Sequence, residues 1–257
     1  MSSELYSNRY VVRAYECAPD GTIRLPQVLN FLQETASNHA ASLGFDFPVL
    51  DEATGRLGAW VLAQIRIRMD HYPRWRDEVV VETFPHSVKA MFAHRDFRLS
   101  LVDGTPCGIA TSRWMVLDPA VRRAVRVPAS VGERYHGPGE PFFGPGDPFS
   151  KLRYPEAPGP ESAREYRVMR SHIDLNGHVN NVHYAAWMLE SIPEETSARL
   201  HVSEMELVFR SETLYGESIR SVCTPQPGGE GIAFAHRVST PDGSRDHLLG
   251  TTRWAVL

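Results

Sequence analysis

The sequence predicts an α+β fold built from two copies of one unit, each a long helix laid against an antiparallel sheet. Three observations carry this: an internal repeat, one helical segment followed by a run of strands in each half, and a stretch between the halves that suits neither element. Near the middle the chain reads Arg98-Leu-Ser-Leu-Val-Asp103-Gly104, then Thr111-Ser-Arg-Trp114-Met-Val-Leu117. At its end it reads Arg237-Val-Ser-Thr-Pro-Asp242-Gly243, then Thr251-Thr-Arg-Trp254-Ala-Val-Leu257. The first parts are offset by 139 residues (Arg98 to Arg237), the second by 140 (Thr111 to Thr251). Each copy reads as a strand, an Asp-Gly turn and a β-rich strand. Two adjacent matches in the same order mark a duplicated unit.

The other elements follow in the same order. Tyr10–Tyr15 and Tyr166–Met169 read as opening strands. A helix is predicted over 25–43, because Val28, Leu32, Thr35/Ala36, His39/Ala40 and Leu43 fall on one face at helical spacing. In the second half Tyr184, Trp187, Met188 and Ser191 do the same, and Pro193 marks the end. Strands are predicted over 59–69, 78–84 and 93–102, and again over 205–211, 217–224 and 233–239. A helix against a curved antiparallel sheet is the hotdog arrangement, here twice in tandem. The stretch from Gly137 to Pro148, followed by Pro155, Pro158 and Pro160, is too rich in Pro and Gly for helix or central strand. It reads as an extended linker over 136–160, between units at 1–135 and 161–257.

Composition narrows the setting. With 257 residues, 42% of them hydrophobic, the chain is long enough for a substantial core. A net charge of −4 gives no reason to expect a nucleic-acid partner. The start of the chain has no apolar signal region, and no stretch approaches the roughly 18 apolar residues of a membrane span. Cys17, Cys107 and Cys223 are odd in number and far apart, so a reducing cytoplasm is expected rather than a disulfide framework.

The densest polar cluster is Asp174-Leu-Asn176-Gly-His178-Val-Asn180-Asn181-Val-His183-Tyr184. In an extended run Asp174, Asn176 and His178 share one side; in an early helix Asp174 and His178 meet one turn apart. Either way a carboxylate, an amide and an imidazole converge before a helix N-terminus, with its unbonded N–H groups and positive dipole end. Those groups can polarise a thioester carbonyl and manage protons around a water. Gly177 would let backbone approach a substrate. The competing interpretation is a polar turn with Asn180 or Asn181 as helix cap. There is no Gly-x-Ser-x-Gly elbow, no phosphate-binding Gly-x-x-x-x-Gly-Lys loop and no His-Glu-x-x-His. His172, His178 and His183, six and five residues apart with no cysteine near, do not have zinc-site spacing. The cysteines sit in predicted strands or at strand ends and read as small core or edge residues, not nucleophiles. No cofactor is implied.

Asp174–Ser191 resembles the active-site segment of the acyl-acyl-carrier-protein thioesterases of plant plastids and bacteria. Leu32–Ala40 is similar to that family's first hotdog helix, and Tyr72–Asp77 and Ser112–Asp118 also match; the resemblance covers nearly the whole chain. It implies a catalytic set of Asp174, Asn176, His178 and Glu212. Glu212 stands in Leu207-Val-Phe-Arg210-Ser-Glu212-Thr213 and by itself would read as a strand carboxylate, paired to Arg210. Thr213 stands where plant members often carry Cys, which argues against a thiol nucleophile and leaves water attack untouched. Aligning Asp20-Gly21-Thr22 with Asn176-Gly177-His178 places Thr22 at the histidine position. One active site per chain follows, in the second half, with the first half holding the acyl chain. Asn38 and His39 in the first helix either face the substrate or form a satisfied polar spot.

The resemblance implies hydrolysis of fatty acyl-carrier-protein thioesters to free fatty acid and holo-carrier, terminating fatty acid synthesis. The rivals are a hotdog hydratase or dehydratase and a non-catalytic acyl-binding hotdog. The partner is the acidic acyl-carrier protein, with a homodimer left open. Arginines that could meet it cluster at Arg66, Arg68, Arg74 and Arg76, and at Arg122, Arg123 and Arg126.

Overall fold

The computed structural model of the chain describes residues 5–256 apart from 46–47, 52–54, 90, 119, 121–122, 135–136, 138–139, 145, 157–161 and 228–230. The chain divides into two units, Met1–Pro148 and Phe149–Leu257. The first contains β1 (Tyr6–Val11), α1 (Leu25–Ser42), β2 (Val49–Asp51), β3 (Arg56–Met69), β4 (Glu78–Lys89), β5 (Phe92–Leu101), β6 (Pro106–Asp118), β7 (Arg123–Val125) and α2 (Ala129–Arg134). Its main strands are antiparallel in the order β1-β4-β5-β6-β3, with β2 added to β3 and β7 to β6. The second contains β8 (Ser162–Arg167), α3 (Asn181–Leu189), α4 (Glu194–Ser197), β9 (His201–Phe209), β10 (Ser218–Pro225), β11 (Ile232–Ser239) and β12 (Asp246–Ala255). Its order is β8-β10-β11-β12-β9, also antiparallel. Leaving β2 and β7 aside, both units run first, third, fourth, fifth, second strand. The expected tandem hotdog is present.

The repeat extends to single hydrogen bonds. Val12 N–H donates to Asp77 O at 3.0 Å, and Val168 N–H to Glu217 O at 2.9 Å. Ile23 N–H donates to Pro73 O at 2.8 Å, and Val179 N–H to Thr213 O at 3.1 Å. A three-residue 3-10 turn, Ala14–Glu16 or Arg170–His172, follows the first strand of each unit. In the repeated hairpins Trp114 donates to Ser112 Oγ at 2.8 Å and Trp254 to Thr252 Oγ1 at 2.9 Å. Register shifts leave one extra residue in β3, β4 and β6 of one unit and in β9 and β12 of the other, and such bulges bend the strands.

Two local expectations need correction. The opening strands end at Val11 and Arg167, earlier than the apolar pattern suggested. Beyond them the backbone turns, because Arg13 N–H is taken by the Glu16 carboxylate (2.8 Å) and Met169 N–H by His172 Nδ1 (3.1 Å). The second helix stops at Leu189, so Ser191 lies outside it and Pro193 caps α4 instead. The helix predicted over 25–43 runs 25–42 and buries Leu25, Val28, Leu32, Thr35, Ala36, His39 and Ala40.

Among the described residues the linker contains neither helix nor strand. Pro158 and Pro160 lie outside the described residues. Phe142 N–H donates to buried Asp96 at 2.7 Å, and Arg98 and Arg66 lie over the rings of Phe142 and Phe143 at 4.7 and 4.8 Å. Arg66 also donates to Pro148 O at 2.8 Å. Arg66 therefore pins the linker and is not a solvated cation open to a partner.

The sheet interiors carry isolated polar groups. Arg95, 1% exposed, donates to Thr83 Oγ1 at 3.1 Å and meets His39 Nδ1 at 2.9 Å. His39 is thus a satisfied polar spot. Burial, aided by the Arg95 charge, holds its pKa down at about 4, so it stays neutral and accepts from the guanidinium. In the second unit His236 meets Thr252 Oγ1 at 2.8 Å, and burial lowers its pKa to about 3.

A depressed imidazole pKa makes the unfolded chain bind more protons than the native one below the ordinary value near 6.5. The stability these groups contribute is present above that pH and is lost as pH falls toward about 4 for His39 and about 3 for His236. Urea unfolding between pH 7.5 and 4.5 should show stability dropping, with His236 contributing a slope of about 1.4 kcal/mol per pH unit. His236→Gln should remove that contribution. Parallel curves for variant and parent would rule out His236 as a source of acid lability.

Candidate active site

The segment before α3 is neither extended nor helical. Ile173 and Val179 form an antiparallel bridge, and Asp174 N–H donates to His178 O at 2.9 Å. The residues between make a tight loop. Gly177 turns it with φ at +78°, a left-handed conformation that favours glycine. An added Cβ would meet nothing within 4 Å, so the glycine is required for backbone angle, not for room. The Asp174 carboxylate accepts from Asn176 N–H at 2.8 Å and so holds the loop closed. Asn180, not Asn181, caps α3, accepting from Val182 N–H at 3.0 Å.

The loop is tied to the chain ahead of β10. Val179 N–H reaches Thr213 O, which places His178 beside Glu212, and His178 Nε2 lies 2.9 Å from Glu212 Oε2. Both side chains are about one-third exposed, at 32% and 35%, so solvent reaches the pair. Beneath it Thr213 is fully buried and accepts a hydrogen bond from the Tyr184 hydroxyl at 2.8 Å. Burial raises the Tyr184 pKa to about 12, so this hydroxyl remains a donor. Ser211 braces the other flank, donating to Asp246 O at 2.7 Å. His172 and His183 do not join the pair: their rings lie tilted to each other with centroids 4.6 Å apart, beside Trp187, and burial lowers both pKa values.

Of the four expected residues, the fold thus joins His178 directly to Glu212. Asp174 is committed to the loop backbone, and Asn176 is exposed on the same loop. Glu212 meets His178, in place of the Arg210 contact it would have as an ordinary strand carboxylate. The sequence reading missed Tyr184 and Thr213 as supports. Their signal was an aromatic hydroxyl on the buried helix face beside a residue adjoining the candidate carboxylate.

The first unit repeats the loop without the pair. Cys17 and Ile23 form the matching bridge and Gly21 has φ +85°, but Thr22 stands where His178 does and bonds Asp20 Oδ1 at 2.7 Å. Through the matching bond to Pro73 O, buried Tyr72 takes the Glu212 position. The three cysteines are buried, and burial pushes the Cys17 thiol up and that of Cys107 to about 11. Cys223 donates to Ser191 O at 2.9 Å. Among the described residues no three His, Cys, Asp or Glu side chains are placed to hold a metal ion.

Residues 3–135 match the family model for the acyl-ACP thioesterase N-terminal domain, and residues 156–255 match that for the C-terminal domain. The chain belongs to the acyl-ACP thioesterase family. An oleoyl-acyl carrier protein thioesterase of Arabidopsis thaliana is 31% identical over 97% of this chain and 75% of its own length. The 12:0-ACP thioesterase of Umbellularia californica superposes with a TM-score of 0.85 at 25% identity, covering 98% of this chain and 94% of that one. An acyl-ACP thioesterase structure from Bacteroides thetaiotaomicron gives 0.84 at 23% identity, covering 99% and 100%, and shares the fold. The thioesterase is an enzyme, a thioester hydrolase. No helix among its described residues is long and apolar enough to cross a membrane.

If Tyr184 and Thr213 act as one support beneath Glu212, their substitutions should not add. Tyr184→Phe and Thr213→Val should each destabilise by about 1–2 kcal/mol, and together by about 1 kcal/mol less than their sum. Urea midpoints of the four proteins test this; strict additivity would show that the two residues are not coupled.

Proposed function

We propose that the enzyme hydrolyses fatty acyl-carrier-protein by attack of water, and that His178 and Glu212 activate that water. The contact between them, 2.9 Å long and open to solvent, is the observation that supports it. Glu212 takes a proton from water while His178, hydrogen-bonded to it, stabilises the charge. The water oxygen bonds the carbonyl carbon and a tetrahedral oxyanion forms. Asn176 and the positive end of the α3 dipole stabilise that oxyanion. On collapse the C–S bond breaks, and the proton held by the pair passes to the pantetheine sulfur. The products are a free fatty acid and the carrier thiol. Asp174 acts through the loop as a positioning residue.

The absence of His and Glu from the matching loop of the first unit supports one site per chain. The first unit then serves the acyl chain, with its longer helix α1. Hydration of an enoyl thioester is the weaker reading: Asp174, which such chemistry would free for proton transfer, is bonded to its own loop. Three buried thiols with no disulfide among them suit a reducing compartment, and a cytoplasmic location fits them.

Glu212→Gln and His178→Ala should each lower kcat on acyl-carrier protein by about 100-fold or more, the range for loss of an acid–base group. A variant with Cys17, Cys107 and Cys223 replaced should keep most activity. Loss of hydrolysis on thiol alkylation of a folded protein would defeat the water mechanism. Titration with a non-hydrolysable acyl-carrier-protein analogue should saturate at one per chain; two per chain would place a second site in the first unit.

A further inference from the structure

The loop that carries His178 also carries a leucine turned to solvent. Leu175 is 98% exposed, three residues before His178. An apolar side chain so exposed contributes no burial energy to folding. It is not isolated: Met169, Leu214 and Tyr215 are 55%, 40% and 56% exposed, and Leu214 is two residues beyond Glu212. The segments that supply the two halves of the site therefore both bear exposed apolar groups. Single exposed apolar residues are ordinary, whereas a group of them beside one site marks a surface that something covers.

The charge around these groups is biased. The Arg170 guanidinium lies 4.6 Å from the centre of the Tyr215 ring, and Arg210 is exposed just before Glu212. Two neighbouring carboxylates are already engaged. Glu217 accepts from Leu214 N–H at 2.9 Å and from Arg245 at 3.1 Å, and Asp174 holds Asn176 N–H. What remains is an apolar surface flanked by arginines, on a chain whose net charge is −4. This cationic character is local, and it complements an acidic partner.

We propose that Met169, Arg170, Leu175, Leu214 and Tyr215 form the surface on which the acyl-carrier protein docks. The inference rests on the reading of His178 and Glu212 as the hydrolytic pair. A thioester on the carrier's flexible arm must reach that pair, so the carrier body stands on the solvent side of it, where these residues lie. An acidic helical protein meets the arginines with its carboxylates and Leu175 and Tyr215 with apolar side chains between them. Aromatic and arginine anchors of this kind dominate protein interfaces. Arg123 and Arg126, exposed beyond β6, are the competing cations; Arg122 lies outside the described residues.

Binding of the carrier protein without an acyl group needs no chemistry, so it separates docking from catalysis. Fluorescence anisotropy of labelled holo-carrier should show binding to the intact enzyme that weakens with added salt. Arg170→Glu, and separately Leu175→Ser with Tyr215→Ser, should weaken it about tenfold or more. Arg123→Glu with Arg126→Glu should leave it within about twofold. Unchanged affinity in the Arg170 and Leu175/Tyr215 variants would overturn the proposal, as would an equal or larger loss in the Arg123/Arg126 variant. So would binding of the intact enzyme to anionic phospholipid vesicles that these substitutions abolish while carrier affinity stays the same; that result would assign the surface to a membrane. If carrier binding behaves as expected but no acyl-carrier thioester is hydrolysed, the hydrolytic reading fails and the docking surface stands.

Discussion

One backbone hydrogen bond, Val179 N–H to Thr213 O, governs the geometry of the candidate site. It joins the loop that precedes α3 to the segment that precedes β10. Without it His178 and Glu212 would belong to unrelated stretches of chain. The bond lies on a scaffold that cannot shift easily. On the loop side Val179 is bridged to Ile173, and Asn180 N–H is fixed to His172 O at 2.9 Å. On the other side Thr213 is buried and held through its hydroxyl by Tyr184. A partly exposed ion pair by itself is a weak organiser, because solvent screens it and two side chains lose freedom in forming it. Here the backbone sets the approach and the side chains need only complete it. Side chains held in this way are organised before any ligand arrives.

The same bond exists in the first unit, as Ile23 N–H to Pro73 O, and there no histidine–glutamate pair accompanies it. That comparison separates what both units share from what the second alone carries. The bridge, the glycine at positive φ and the closing bond are retained in both units, so they are architectural. The histidine and glutamate are found in one. In the other, Thr22 satisfies itself on Asp20, and Tyr72 is buried, its hydroxyl pKa raised by desolvation. A further contrast lies one turn on. Gly216 at φ +85° is matched by Arg76 at φ +75°, the one non-glycine residue in that region among those described. Arg76 lies 4.3 Å over the ring of exposed Trp75. The stacking contributes about 0.5–1 kcal/mol, comparable to the strain of a left-handed L-residue. The first unit can thus hold an arginine where the second uses glycine.

Much of this was legible in the sequence, and the limits have physical causes. The hairpins were visible because an Asp-Gly turn fixes strand register locally. Helix α1 was visible because its buried face repeats at helical spacing over eighteen residues. The polar segment could be recognised as a unit, but its internal geometry could not. An alternating Asp, Asn and His suggested one shared face, whereas a glycine at positive φ folds the segment into a loop and turns Asp174 onto its own backbone. The Glu212–Tyr72 correspondence was also hidden. The repeat is offset by 156 residues ahead of the helices (Ile23 to Val179) and by 140 after them (Pro73 to Thr213). Between those points the units differ in length, with α1 twice as long as α3, and no single offset aligns both ends. The two closing hydrogen bonds fix the register, and the Val12–Asp77 and Val168–Glu217 bonds agree with it.

Buried polar groups show how each unit tolerates chemistry in its interior. Arg95 is a cation taken out of water, which costs several kcal/mol unless its N–H groups find acceptors. A neutral imidazole is one such acceptor, and the Arg95 charge helps to keep His39 neutral, so each group stabilises the required state of the other. His236 is arranged differently. Trp254 donates to Thr252 Oγ1, and the same hydroxyl meets His236 Nε2. His236 Nδ1 has no partner among the described residues. A buried polar nitrogen of this kind costs about 1–3 kcal/mol unless a water or a bound group pairs with it. The Trp–hydroxyl contact is common to both repeats, but in the first unit Ser112 donates to Arg95 O at 3.1 Å and no histidine is involved. The duplicated hairpin thus supplies the same hydroxyl twice. Its second partner differs, a backbone carbonyl in the first unit and an imidazole in the unit that carries the His178–Glu212 pair.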